Sequence, residues 1–199
     1  MAADAPTSYP VQLSLDAPPT LARWRPLLHW LLAIPHYVVL YVLRLVYGVV
    51  LFISWFAILF TGEIPAAFFG FMAAYYRYQW RVTSYIFWMR DSYPPFELAT
   101  TGLDTETDPA RLSIQEPEKL SRLLIFVKWL LAVPHYIVLI FVGIAAFFVG
   151  ILSFFVVLVT GAWPEGMRDF LVGANRWSTR VNAYVTLLTD VYPPFSLAP

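Results

Sequence analysis

Hydrophobic and polar positions divide this chain into long blocks. Two almost unbroken apolar runs, residues 27–60 and 123–160, stand between polar, proline-rich stretches. Taken as one helix, the first run would measure about 51 Å, against a hydrocarbon core of about 30 Å. Basic residues flank both runs. Arg23 and Arg25 precede the first, and Arg77, Arg81 and Arg90 follow it; Arg122 and Lys128 open the second, and Arg168, Arg176 and Arg180 follow it. Lysine and arginine gather on cytoplasmic flanks, so two basic flanks favour an even number of crossings. The expectation is a hairpin in each run, turning near Arg44–Gly48 and Gly143–Gly150, with four crossings in all. The rival is one long helix per run, strongly tilted, with Gly143, Ala146, Gly150 and Ser153 as a small-residue packing face. Arg44, Tyr47, Leu51 and Ser54 stand at those positions in the first run and would fill the groove.

Behind each run, Thr61-Gly62 and Thr160-Gly161 read as helix stops, and Pro65 and Pro164 suit the first turn of a following helix. Over 65–90 the residues Phe71, Tyr75, Tyr78, Val82, Tyr85 and Met89 form a stripe at 3/4 spacing. Phe170, Ala174, Trp177, Val181, Tyr184 and Leu188 repeat it over 164–189. That period predicts amphipathic helices. Paired arginines in mid-segment make a lipid-facing span costly, so an in-plane interfacial helix is expected. Pro94-Pro95 and Pro193-Pro194 end these helices. Alternation at Val11–Leu15 and Arg111–Ile114 predicts short strands, paired in a small sheet with the segments after Pro-Pro-Phe. The fold class expected is an all-α integral membrane protein, with four crossing helices, two interfacial helices and short strands in the polar ends.

Composition agrees with a membrane setting. Of 199 residues, 59% are hydrophobic and only 13% charged, whereas soluble domains average roughly 25% charged. The 8 Trp and 12 Tyr suit the two interfaces of a bilayer. A formal net charge of zero argues against nucleic-acid binding. The absence of cysteine removes disulfides, thiolate metal sites and cysteine nucleophiles. Residues 1–20 lack the basic start and apolar core of a signal peptide.

A second order underlies the first. Shifted by 99 positions, residues 21–99 lie over 120–198 without a gap, more than a third of them identical. Trp30-Leu-Leu-Ala-Ile-Pro-His-Tyr37 recurs as Trp129-Leu-Leu-Ala-Val-Pro-His-Tyr136. Arg77, Arg81 and Tyr85 recur as Arg176, Arg180 and Tyr184, and Asp91-Ser-Tyr-Pro-Pro-Phe96 as Asp190-Val-Tyr-Pro-Pro-Phe195. The chain is a duplication. It divides into a polar segment 1–20, repeat 1 at 21–99, an acidic linker 100–119 and repeat 2 at 120–199. The order of blocks resembles the bacterial membrane-protein family known as domain of unknown function 4389: a Pro-His opening, a Thr-Gly-x-x-Pro turn, spaced arginines and an Asp-x-Tyr-Pro-Pro-Phe ending. The resemblance covers nearly the whole chain, twice. Repeat 1 departs at 65–70, where Pro-Ala-Ala-Phe-Phe-Gly replaces Pro-Glu-Gly-Met-Arg-Asp. The resemblance implies a bacterial membrane protein and supplies no activity; with the four crossings read above, a multi-pass protein of the bacterial inner membrane is expected.

Candidate chemistry is sparse. His36 and His135 offer one imidazole per repeat, a pattern that suits haem or metal ligation; the structural alternative is a hydrogen-bonded entry to the apolar run. Arg77 with Arg81, and Arg176 with Arg180, stand at i and i+4 on one helix face. They suit lipid phosphates or ion pairs with Asp91 and Asp190. The sequence has no phosphate loop, metalloprotease motif or serine elbow. A non-enzymatic membrane scaffold, accessory subunit or lipid-organising protein is expected, without a cofactor. Its partners would be the bilayer, anionic lipids and other membrane proteins. A small transporter or channel, and a haem- or metal-binding subunit, are the alternatives.

Overall fold

In a computed structural model, residues 9–98, 104 and 108–199 are described. The chain is mostly helical, with two short strands. In order these are β1 (Val11–Leu15), α1 (Arg25–Leu32), α2 (Ile34–Thr61), α3 (Ala66–Ile86), β2 (Ala110–Ile114), α4 (Leu124–Leu131), α5 (Val133–Thr160) and α6 (Glu165–Val185). The four-crossing arrangement is corrected. Neither apolar run turns back on itself; α2 and α5 are each continuous through Arg44–Gly48 and Gly143–Gly150. Among the described residues, two helical segments, Ile34–Thr61 and Leu124–Thr160, are long and apolar enough to cross a membrane. The flanking arginines that suggested an even number of crossings are largely used inside the protein. Arg44 lies exposed near the middle of α2, not at a turn.

Each long helix stops where the Thr-Gly pair predicts. Gly62 and Gly161 take left-handed φ values of 81° and 72°, and their amides donate to Ile58 and Val157. At Gly161 a side chain would meet the Leu21 carbonyl oxygen at 3.0 Å. Pro65 and Pro164 cap α3 and α6 from just outside the first turn. The far ends of α3 and α6 close with a left-handed Trp88 (φ 46°) and Leu187 (φ 73°), equivalent residues of the two repeats. Met89 N–H donates to the Ser84 carbonyl and Trp88 N–H to Tyr85, the paired bonds of a Schellman cap. Side chains other than glycine are retained there because they pack: Trp88 stacks on Trp163 and meets Phe154 edge-on.

The strands pair with each other, antiparallel, and not with the segments after Pro-Pro-Phe. Val11 faces Ile114, Leu13 faces Leu112 and Leu15 faces Ala110. Val11, Leu13, Ala110, Leu112 and Ile114 are buried, while Gln12, Ser14, Arg111 and Ser113 occupy the other face. Contacts are exchanged between repeats: β2 packs on α3 of repeat 1, and β1 packs on α6 of repeat 2. Beyond them α3 packs on α2 and α6 on α5, so the order of layers is sheet, middle helices, long helices. One core cluster joins the strands to α3 and α6 and reaches Leu43, Tyr47 and Val157 of the long helices. The α3 and α6 helices are therefore packed largely inside the protein, with their arginines turned toward the strands rather than outward. Fourteen of the 21 residues of α3 are buried. Gly150 of the small-residue face receives the ring of Phe87, which lies 3.5 Å from where a Cβ would stand, rather than a side chain of α2.

Candidate functional site

Two sets of recurring residues hold most of the buried polar chemistry. The first is formed by the Asp-x-Tyr-Pro-Pro-Phe segments, which fold back over the junction between the short and long helices of their own repeat. In repeat 1, Asp91 pairs with Arg25 at 2.7 Å, Tyr93 Oη donates to the Leu32 carbonyl at 3.2 Å, and Phe96 stacks on His36 with centroids 4.2 Å apart. In repeat 2, Asp190 accepts from Ser121 N–H at 2.6 Å and pairs with Lys128 at 2.8 Å. Tyr192 Oη donates to the Leu131 carbonyl at 3.1 Å, and Phe195 stacks on His135 at 3.8 Å. Each ending clasps the start of its repeat. The carboxylates therefore meet Arg25 and Lys128, not the i, i+4 arginines suggested as their partners.

Both histidines are fully buried. His36 Nδ1 is 2.6 Å from Tyr78 Oη, and Tyr93 tilts against the same ring. Trp177 Nε1 donates to His135 Nδ1 at 3.1 Å. An indole only donates, so His135 Nδ1 is an acceptor and its proton sits on Nε2. Each ring contacts residues of its own repeat, with an aromatic side chain against its face. Among the described residues no group of three or more His, Asp or Glu is arranged to hold a metal. The two imidazoles are thus placed as packed, hydrogen-bonded core groups.

The second set is the arginines. Arg77, Arg81 and Arg180 are 1% exposed and Arg176 is 9% exposed, so their charged heads lie within the protein and away from a lipid surface. Arg77 Nε donates to the Leu112 carbonyl at 3.1 Å, and Arg176 Nε to Leu13 at 2.9 Å. These are equivalent bonds, since Leu13 and Leu112 are the same residue of the repeat. Arg180 donates to the Val11 and Ala198 carbonyls at 3.4 and 3.0 Å, and Arg176 also reaches Leu197 at 2.6 Å. Buried guanidiniums thereby satisfy strand-edge carbonyls that would otherwise be left without partners. Burial lowers the pKa of Arg77, an effect opposed by Asp104 and reinforced by Arg81. Burial likewise lowers that of Arg176, opposed by Asp169.

Sequence reasoning missed the carboxylates that complete this set. Asp104 and Asp108 belong to the stretch read as a flexible acidic linker, yet Asp104 pairs with Arg77 and Arg81, and Asp108 with Arg90 through both oxygens. Asp104 also accepts from Leu112 N–H and Asp108 from Ala110 N–H, both at 2.8 Å. Asp108 also lies 3.9 Å from Arg81; in repeat 2 Tyr9 stands where Asp108 does, and Arg180, the counterpart of Arg81, lies over its ring at 5.3 Å. The available signal was the 99-residue shift, which places Tyr9 and Asp108 at one position.

Comparison with known proteins gives one match. A family model described as Domain of unknown function (DUF4389) matches residues 23–97 and again 122–196. No curated protein and no solved structure matches.

Proposed function

Because the chain belongs to the DUF4389 family, in two tandem copies, whose description assigns no activity, we propose its role from physical features alone: a non-catalytic, membrane-resident scaffold or lipid-organising protein. The observation that carries this reading is the outward face of the long helices. In the most apolar window of each candidate span only 22% and 11% of residues are buried. Core helices of soluble proteins hide such surfaces, and patches far beyond a few hundred Å² do not persist exposed to water. A bacterial cell membrane is the setting we assign. The buried arginines, histidines and acids spend their hydrogen bonds on the clasps and strand edges, which supports a structural rather than a catalytic use. The polar cleft between α3 and α6, lined by Gln79, Asn175, Ser178 and Asn182, is only about 70 Å³, which favours a scaffold over a transporter.

Attraction to anionic lipid falls to exposed cations, Arg23, Arg44, Lys119 and Arg122 among them, at about 1 kcal/mol for each one near the surface. Two measurements test the proposal. After alkaline carbonate washing, the protein is expected to stay with the membrane pellet until detergent is added; release by carbonate alone would remove the membrane reading. Changing Arg23, Arg44 and Arg122 together to Gln is expected to weaken binding to phosphatidylglycerol vesicles and leave binding to phosphatidylcholine vesicles unaltered. Equal binding to both by the unmodified protein would sink the anionic-lipid part.

A further inference from the structure

We propose that this protein lies in a single leaflet, with α1, α2, α4 and α5 embedded side-on and the β1–β2 sheet held in the water above them. The inference rests on the membrane reading just given and adds the disposition of the chain. Its basis is the position of the pseudo-twofold axis.

The ladder pairs Leu13 with Leu112, the same residue of the two repeats, and Val11 with Ile114, the equivalent of Leu15. The operation relating the repeats therefore passes through the centre of the ladder, perpendicular to the strands. It also carries Leu21 onto Leu120 and Gly62 onto Gly161. Leu21 N–H donates to the Gly161 carbonyl at 2.9 Å, and Leu120 N–H to Gly62 at 2.8 Å. Each helical arm thus begins where the other ends. The operation turns the vector from Leu21 to Gly62 into its own reverse, which happens only to a vector perpendicular to a twofold axis. The two arms run antiparallel, at right angles to the axis, and the sheet sits level with their midpoint.

Stood upright in a bilayer, these arms would carry the sheet to mid-depth. Its outer face of Gln12, Ser14, Arg111 and Ser113 would then lie at the level of the hydrocarbon centre, where polar surface is excluded unless it is covered by protein; Ser14 is exposed. Arg44, exposed near the middle of α2, would sit in the hydrocarbon too. Laying the arms flat, with the axis along the membrane normal, removes both conflicts. The sheet faces water, α3 and α6 lie beneath it, and the long helices form the layer beyond them. Exposed Val49, Phe52, Phe147 and Phe148 then enter the acyl region. Arg23 and Arg122 open the arms and exposed Trp30 and Trp129 stand in their first helices, the aromatic and basic complement of a headgroup layer. Arg44 reaches the headgroups by extending its side chain.

The chain has no cysteine, so single-cysteine variants report depth directly. Ser14→Cys, Phe52→Cys and Glu63→Cys all change exposed residues. Each full-length variant is reconstituted in phosphatidylcholine–phosphatidylglycerol vesicles and labelled with a fluorophore, and lipids carrying quenchers at defined depths are added. The expected result is that Ser14→Cys reacts freely with an impermeant maleimide and its label is quenched at no depth. The Phe52→Cys label is expected to lose emission to quenchers along the acyl chain, and that on Glu63→Cys to quenchers near the headgroup. A Ser14→Cys label that is unreactive, or quenched most from the acyl-chain ends, would overturn the single-leaflet arrangement and leave the membrane reading intact. Protein that stays off the vesicles as a soluble dimer, with Phe52→Cys protected, would overturn both.

Discussion

Tyr78 and Trp177 show how one position meets the same need with different chemistry. Each supplies a polar hydrogen-bonding group to the Nδ1 of a buried histidine, an oxygen in one repeat and an indole nitrogen in the other. Truncating such a partner strands the imidazole, and a stranded buried polar group costs about 1–3 kcal/mol, whereas removing both members together costs less. Trp177→Phe should therefore lower stability by about that amount, and Trp177→Phe with His135→Leu by less than the sum of the single changes. Thermal unfolding in detergent, followed by near-ultraviolet circular dichroism, measures the cycle; strict additivity would show that the bond contributes nothing. Asp108 is the more severe case. It neutralises Arg90 inside the protein, where breaking a buried pair by removing one partner costs about 3–5 kcal/mol. Asp108→Asn should thus be among the most destabilising single changes in the molecule, and a denaturation midpoint equal to that of the unmodified protein would contradict the burial described.

At the scale of elements, the helix ends carry the most local information. Gly62 and Gly161 were readable as stops because a left-handed residue closing a helix is ordinarily glycine. Their environments differ, and the difference predicts unequal sensitivity. A Cβ at Gly62 would lie 3.5 Å from its nearest neighbour, and one at Gly161 would lie 3.0 Å from backbone. Gly62→Ala is expected to cost about 1–2 kcal/mol from the left-handed backbone alone, and Gly161→Ala more, since the lead-in to α1 at Leu21 must also shift. Comparing the two melting temperatures tests the ranking, and a smaller loss at Gly161 would reverse it. The middle helices were legible as helices but not as interior ones. A stripe at 3/4 spacing is the same whether the opposite face meets water, headgroups or a strand, and the arginines beside it do not announce that their acceptors are Leu13 and Leu112.

For the molecule as a whole, the exchange of strands makes the two repeats interdependent. Repeat 1 takes β2 onto α3, and repeat 2 takes β1 onto α6. Arg176 and Arg180 find their strand carbonyls on β1, at sequence separations of 163 and 169 residues. Residues 1–99 and 100–199 produced as separate chains in one cell should accordingly co-purify as a complex. Produced alone, 100–199 should aggregate or pair with a second copy of itself. A monomeric, cooperatively unfolding 100–199 would show that the exchanged strand is dispensable.

The sequence by itself determined the duplication, the apolar runs, the helix stops, the strand segments and the recurring clasp residues. Each of these is written in local pattern or in self-similarity, and local periodicity and turn chemistry act over a few residues. Only the tertiary structure decided that neither run turns back on itself, that β1 pairs with β2, and that the arginines and Asp104 and Asp108 lie inside. Those outcomes depend on partners far away in the chain, because a buried charge is tolerable only where opposite charge or acceptors reach it. The direction of the arms depends on the same long-range contacts: Leu21 meets Gly161 and Leu120 meets Gly62, and this pair of bonds lays the two arms antiparallel across the axis of the repeat.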